Sequence, residues 1–134
     1  KGQNYTKLNK YIHDNNLHNH VKLLGYKKNP FQYIKQSDIF LLSSKYEGSP
    51  NVLVEALILK KYIISTDCPT GPKEILKNGK YGKIFPVGNY KILSRLLLNS
   101  KNELKRKINY DKYLHIYKKE INCEKYYRYI EKFI

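Results

Sequence analysis

Two carboxylates, Glu47 and Glu55, stand at the ends of the segment EGSPNVLVE. The first falls in a loop, and the second falls inside an apolar run that opens with Ser49 and Pro50. Serine at an N-cap and proline at the first helical position make a coherent helix start, because the hydroxyl accepts from a free amide and proline has no amide to leave unpaired. A helix is therefore expected from about Pro50. The amides of Asn51, Val52 and Leu53 would then point out of its end, where the macrodipole adds to their attraction for a phosphate or diphosphate. Glu55 follows Asn51 by one helical turn and shares its face. Its neighbours Val52, Leu53, Val54, Ala56, Leu57, Ile58 and Leu59 leave little polar surface, and a buried carboxylate without partners costs on the order of several kcal/mol. A ligand with a phosphate for the helix end and a vicinal diol for the carboxylate, as in a ribose phosphate, would satisfy both. The alternative is a solvated glutamate on a half-exposed helix.

The elements that must position this pair are legible in the apolar pattern. Leu8, Tyr11 and Ile12 have helical spacing between Thr6 and Asn15, and VKLLG predicts a short strand from Val21 to Gly25. Asn29 and Pro30 open a second helix running to about Gln36, and Asp38 to Ser43 (DIFLLS) is a continuous apolar strand of the kind buried on both faces of a parallel sheet. The Pro50 helix runs to about Lys60, followed by the strand YIIST from Tyr62 to Thr66. Pro72 opens a further helix through Lys77, with Asn78 and Gly79 as its stop and KIFPV as a last short strand. This alternation predicts an α/β fold, a Rossmann-like open parallel sheet with helices on both faces. Ligands of such sheets bind at the carboxyl ends of the strands, where the Glu47 and Asp67 loops fall.

From Tyr90 to Ile134 a helical C-terminal tail is expected. Ile92, Leu93, Leu96 and Leu97 form one amphipathic stripe, with Tyr117, Ile121, Ile130, Phe133 and Ile134 as later apolar positions. Tyr126, Tyr127 and Tyr129 could stack bases, but ring burial with a wet hydroxyl is the simpler use of such a cluster.

Bulk properties bound the function. A chain of 134 residues with 41% apolar content suits one soluble domain. No apolar run approaches the roughly 20 residues of a spanning helix, and no secretory leader pattern is present. Cys68 and Cys123 have neither metal-ligand spacing nor disulfide density, which suits a reducing cytoplasm. The formal net charge of +15 invites a nucleic-acid or anionic-membrane partner. However, 23 of the 26 basic residues are lysines spread over the whole length, and lysine shares A/T-rich codons with the abundant Asn, Ile and Tyr. No nucleic-acid partner is expected from charge this diffuse. His13, His18 and His20 lack a carboxylate arranged for zinc, so neither a metal nor another cofactor is expected. No GxxxxGK[ST] loop and no GxSxG elbow occurs.

The strand DIFLLSS, the segment EGSPNVLVEAL, the strand YIIST and the loop TDCPTGPKEIL, in that order, resemble the retaining GT-B glycosyltransferases of family 4, glycosyl transferases group 1. The matching positions are Ser43, Ser44, Glu47, Gly48, Pro50, Glu55, Ser65, Thr66, Asp67, Gly71, Glu74, Asn78 and Gly79, and the likeness runs from about Gly2 to Asn89. It implies that residues 1–89 are a partial donor-binding domain and that 90–134 are helices packing on it. It also implies that Glu55 accepts from the ribose hydroxyls of a nucleotide sugar, while Glu47, the candidate catalytic residue, lies near the transferred sugar and diphosphate. Gly48, Ser49, Pro50, Asn51, Val52 and Leu53 would hold the diphosphate, and Thr66, Asp67, Gly71, Lys73 and Glu74 would border donor or acceptor, or else serve as cap and turn residues.

The form of the later loop is similar to that in transferases of capsule, O-antigen and glycan-assembly clusters, which implies a UDP-sugar donor and a glycan or lipid-linked acceptor. Peripheral contact with the inner face of a membrane fits such an acceptor. A GT-B enzyme also has an N-terminal acceptor domain, and its donor domain begins with a strand bearing an Arg or Lys for the diphosphate. Neither matches anything in this chain, which is therefore expected to be inactive alone. A nucleotide-sugar epimerase fragment and a basic nucleic-acid or membrane-binding module are the competing readings.

Overall fold

The computed structural model describes residues 2–105 and 108–118, and they fall into two compact units divided between Gln32 and Tyr33. The first unit carries helix α1 (Tyr5–Asp14), on which Ile12 is buried. Lys10 pairs with Asp14 across one exposed turn at 2.8 Å. The expected strand at Val21–Gly25 does not form, and Val21 and Leu24 are exposed. A strand exists only by sharing a hydrogen-bonded ladder with a neighbour, and an apolar run cannot specify that neighbour.

The second unit is built on a parallel sheet of β1 (Ile39–Leu42), β2 (Tyr62–Thr66) and β3 (Lys83–Phe85), in the order β1-β2-β3. Helix α2 (Phe31–Gln36) leads into β1, and the Lys61 ammonium donates to the Lys35 carbonyl at 2.6 Å. Side chains alternate across the sheet, so each strand feeds both layers. Phe40, Leu42, Ile63 and Ile84 pack with α3 (Asn51–Ile58) and α4 (Pro72–Ile75) on one face, where Leu53, Ala56, Leu57 and Leu76 are fully buried. Ile39, Tyr62, Ile64 and Phe85 pack on the other face against Ile92, Leu93 and Leu96 of α5 (Tyr90–Leu98). Only the central strand β2 is buried at every position, whereas Leu41 of β1 is 39% exposed. The two-face burial expected of DIFLLS is thus corrected, because β1 stands at an edge of this sheet.

Local chemistry explains the element ends. Helix α3 closes with Lys60 at φ +55°, its amide bonded to the Leu57 carbonyl and the next amide, of Lys61, bonded to the Ala56 carbonyl. This is the Schellman pairing. Helix α4 is shorter than expected, because Lys77, Asn78 and Gly79 all take left-handed φ values and the Asn78 amide reaches back to the Lys73 carbonyl. The Asn89 side chain caps α5 by accepting from the Ile92 amide at 3.1 Å.

As far as Lys118, the tail consists of α5, α6 (Ser100–Leu104), α7 (Asp111–Leu114) and a 3-10 turn at His115–Tyr117. Lys83 ties β3 to α6 through Glu103 at 3.0 Å. Leu97, expected on the apolar stripe, is 38% exposed. The expectations for Ile121, Tyr126, Tyr127, Tyr129, Ile130, Phe133 and Ile134 lie outside the described residues.

Three tyrosines stack beside α4. The Tyr81 and Tyr113 rings are parallel at 4.3 Å, and Tyr117 meets Tyr113 edge-on at 5.6 Å. The buried Tyr113 hydroxyl donates to the Ile75 carbonyl at 2.8 Å. Desolvation by burial pushes its pKa well above the ordinary 10.0. Below that ordinary value neither state ionises and the contribution to stability is complete. Above it the unfolded chain gains by losing the proton, and stability falls until the folded group also ionises. Thermal melts between pH 8 and pH 11 are therefore expected to fall less steeply for Tyr113→Phe than for the native chain. Parallel slopes would remove Tyr113 from the alkaline transition.

Candidate functional site

The chain leaves β1 at Leu42 and β2 at Thr66, and these adjacent strand ends launch two loops that are held together at three points. Thr66 is buried and its hydroxyl donates to the Ser44 carbonyl at 2.6 Å. Thr70 donates through its hydroxyl to the Glu47 carbonyl. Gly71, at φ +97°, lies so close beneath Pro50 that a Cβ there would sit 2.3 Å from the proline Cδ. The Glu47 loop therefore owes its position to the second loop as well as to its own sequence.

Helix α3 starts differently from the expectation. Pro50 precedes the helix instead of opening it, and the Ser49 hydroxyl reaches the Asn51 side-chain oxygen at 3.5 Å with no bond to a helix amide. The reason lies in the backbone: the Asn51 amide donates to the Ser49 carbonyl at 2.8 Å, and the Leu53 amide to the Pro50 carbonyl at 2.9 Å. Of the three amides expected to face an anion, two are engaged in this tight first turn. The Val52 amide has no hydrogen-bond partner among the described residues.

A cleft of about 720 Å³ runs along this helix. Gly48, Ser49 and Asn51 line it from the loop and helix start, and Val54, Glu55 and Ile58 from the helix flank. Thr70, Gly71, Glu74 and Ile75 line it from the second loop and α4, and Tyr117 from the 3-10 turn. Glu55 is half-buried, and its carboxylate has no hydrogen bond or ion pair to any described residue. At about 1.5 Å of rise per residue, Asn51, Glu55 and Ile58 mark successive stations on one side of α3, with roughly 10 Å from first to last.

The structure thus brings Gly48, Ser49, Asn51, Glu55, Gly71 and Glu74 together around one cavity. Glu47 is half-buried and outside the lining, Leu53 is fully buried in the core, and Thr66 is committed to joining the loops. Asp67 and Lys73 pair with each other at 2.7 Å. The sequence pattern missed Val54, Ile58, Thr70, Ile75 and Tyr117. Helical spacing from Asn51 could have found Ile58, but no local signal marks Tyr117.

Residues 1–121 match the family model of glycosyl transferases group 1. The chain is 52% identical over 75 residues to the uncharacterized glycosyltransferase MJ1059 of Methanocaldococcus jannaschii, covering 56% of this chain and 18% of that protein. It is 33% identical over 78 residues to an N-acetylgalactosamine-N,N'-diacetylbacillosaminyl-diphospho-undecaprenol 4-alpha-N-acetylgalactosaminyltransferase of Campylobacter jejuni, covering 58% of this chain and 21% of that one. The chain thus spans about a fifth of the length of these curated relatives. The lipopolysaccharide outer core galactosyltransferase WaaB in its apo form superposes with a TM-score of 0.82 at 23% identity, over 99% of this chain and 39% of that one. That likeness shows the fold, a parallel α/β sheet of the GT-B kind. With the family model matched over most of its length, the chain belongs to the glycosyl transferases group 1 family.

Proposed function

We propose that the cleft along α3 binds the nucleoside diphosphate of a nucleotide-sugar donor, a UDP-sugar, for retaining transfer of its sugar in surface polysaccharide or glycan assembly. The observation that carries this reading is the Glu55 carboxylate, half-buried in a cleft of about 720 Å³ and without a partner among the described residues. Such a group gains most from a ligand that brings hydroxyl donors. A ribose diol does so, and a cavity of this size accommodates a nucleoside diphosphate. The diphosphate would lie toward Ser49 and Asn51, where the Val52 amide, the Asn51 side-chain NH2 and the helix dipole favour negative charge. Glu47, on a loop pinned to Thr70, would face the transferred sugar.

In this reading the protein's contribution is positional and electrostatic. Fixed donors stabilise the leaving diphosphate while an acceptor hydroxyl attacks the same face of the sugar. The acceptor, a glycan or lipid-linked glycan, and any peripheral membrane contact belong to the same proposal. The homologous enzymes' named acceptors include an undecaprenol-linked one.

Calorimetric titration with UDP tests it. A hydrogen bond to a charged group contributes about 1.5–3 kcal/mol, so Glu55→Ala is expected to weaken binding by roughly 10- to 100-fold. Equal affinity of the native and substituted chains, with both folded by circular dichroism, would exclude the ribose contact.

A further inference from the structure

We infer that the outer face of α5, continued by the start of α6, is a docking surface for an anionic lipid bilayer. This deepens the peripheral membrane contact proposed above and rests on it. Ile92, Leu93 and Leu96 turn one side of α5 to the sheet, and the opposite side of such a helix is ordinarily polar. Here it carries Leu98, 79% exposed, and Tyr90, 73% exposed. Helical spacing puts Lys91, two turns before Leu98, and Arg95, three residues before it, on that same side. Lys101 follows Leu98 by three residues, across a junction where Asn99 keeps right-handed helical dihedrals. All three cations are exposed, and none pairs with a carboxylate among the described residues. Between Tyr90 and Lys105 the one acid is Glu103, and Lys83 holds it at 3.0 Å.

The combination selects the partner. Phosphates of a nucleic acid would engage the cations and give nothing to Leu98, whereas a second copy of the chain would bring the same positive charge into the contact. An anionic bilayer uses both features: its headgroups meet Lys91, Arg95 and Lys101, while Leu98 and the Tyr90 ring enter the boundary with the acyl chains. The net charge of +15 is spread over the whole chain, so the apolar centre is what sets this face apart. The surface is also fixed beforehand. The Asn99 amide donates to the Arg95 carbonyl at 3.1 Å and the Ser100 hydroxyl to the Leu97 carbonyl at 2.6 Å, which joins the two helices at Leu98.

Co-sedimentation of the 134-residue chain with vesicles tests the assignment, using equimolar phosphatidylglycerol and phosphatidylcholine against phosphatidylcholine alone. The native chain is expected to bind the anionic vesicles only. Each basic residue at such a surface contributes about fivefold, so Lys91→Ala with Arg95→Ala is expected to weaken binding about 25-fold. Leu98→Ser, which leaves the charge unchanged, is expected to weaken it about tenfold. Lys22→Ala with Lys28→Ala removes the same charge from exposed positions of the first unit and is expected to stay within about threefold. If Leu98→Ser binds as the native chain does, or the two double substitutions weaken binding alike, the contact is diffuse charge and the α5 face is wrong while membrane contact stands. Leu98-dependent self-association in sedimentation velocity, with vesicle binding untouched by Leu98→Ser, would assign the face to a second copy instead. If the native chain leaves anionic vesicles unbound, or binds neutral ones equally, the anionic membrane contact fails and the face with it, whereas the cleft is tested separately by UDP.

Discussion

Replacing Gly71 by alanine is expected to lower the stability of the second unit by about 2–5 kcal/mol and to disorganise the cleft in the same step. Gly71 has φ +97° and ψ −55°, a region that side chains avoid at a cost of about 1–3 kcal/mol. The new methyl would also meet Pro50 Cδ at 2.3 Å and Cγ at 2.7 Å. A proline ring cannot rotate aside, so the Glu47–Pro50 loop must move, at an overpacking cost of about 1–3 kcal/mol. Both loops bear cleft residues, and Thr70 would lose its alignment with the Glu47 carbonyl. Urea denaturation reads the first effect as a lower midpoint at unchanged slope, and UDP titration reads the second. A midpoint indistinguishable from the native one would show that the two loops are not packed as described.

Leu57→Ala should be the most damaging single truncation in the core layer between α3 and the sheet. Leu57 is fully buried, in a cluster with Leu53, Ile63, Leu76 and Tyr113. Removing a buried leucine side chain costs about 2–5 kcal/mol, because the cavity left behind collapses only in part. Against a net stability of about 5–15 kcal/mol for a typical domain, that loss populates the unfolded state visibly at 37 °C. Ile58→Ala is the matched comparison: Ile58 is 55% exposed, and surface truncations stay within about 0.5 kcal/mol. Equal losses from the two substitutions in calorimetric unfolding would place the core on the wrong side of the helix.

That contrast also marks how far the amino-acid pattern reaches. The runs that became β1, β2 and β3 and the Pro72 helix start were legible because each is written in adjacent residues. The ordered set around Glu47 and Glu55 was legible for the same reason, and it pointed to the family that the comparisons then showed. Val21–Gly25 was misread because a strand needs a partner that its own residues do not name. Ser49 was misread as a cap because the Asn51 amide donates to the Ser49 carbonyl instead of its hydroxyl, a matter of backbone path.

The sequence by itself determined the parallel α/β architecture, the carboxylate pair and its place at the strand ends, since hydrophobic periodicity and turn chemistry act over a few residues. Only the tertiary structure decided that Leu57 faces the core while Ile58 faces the cleft, and that the Thr70–Gly71 turn holds the Glu47 loop. It alone brought Tyr117, far along the chain, into the same cleft as Glu55. Such contacts arise because packing minimises exposed apolar surface and unpaired polar groups over the whole unit at once, and no local window of residues contains that sum.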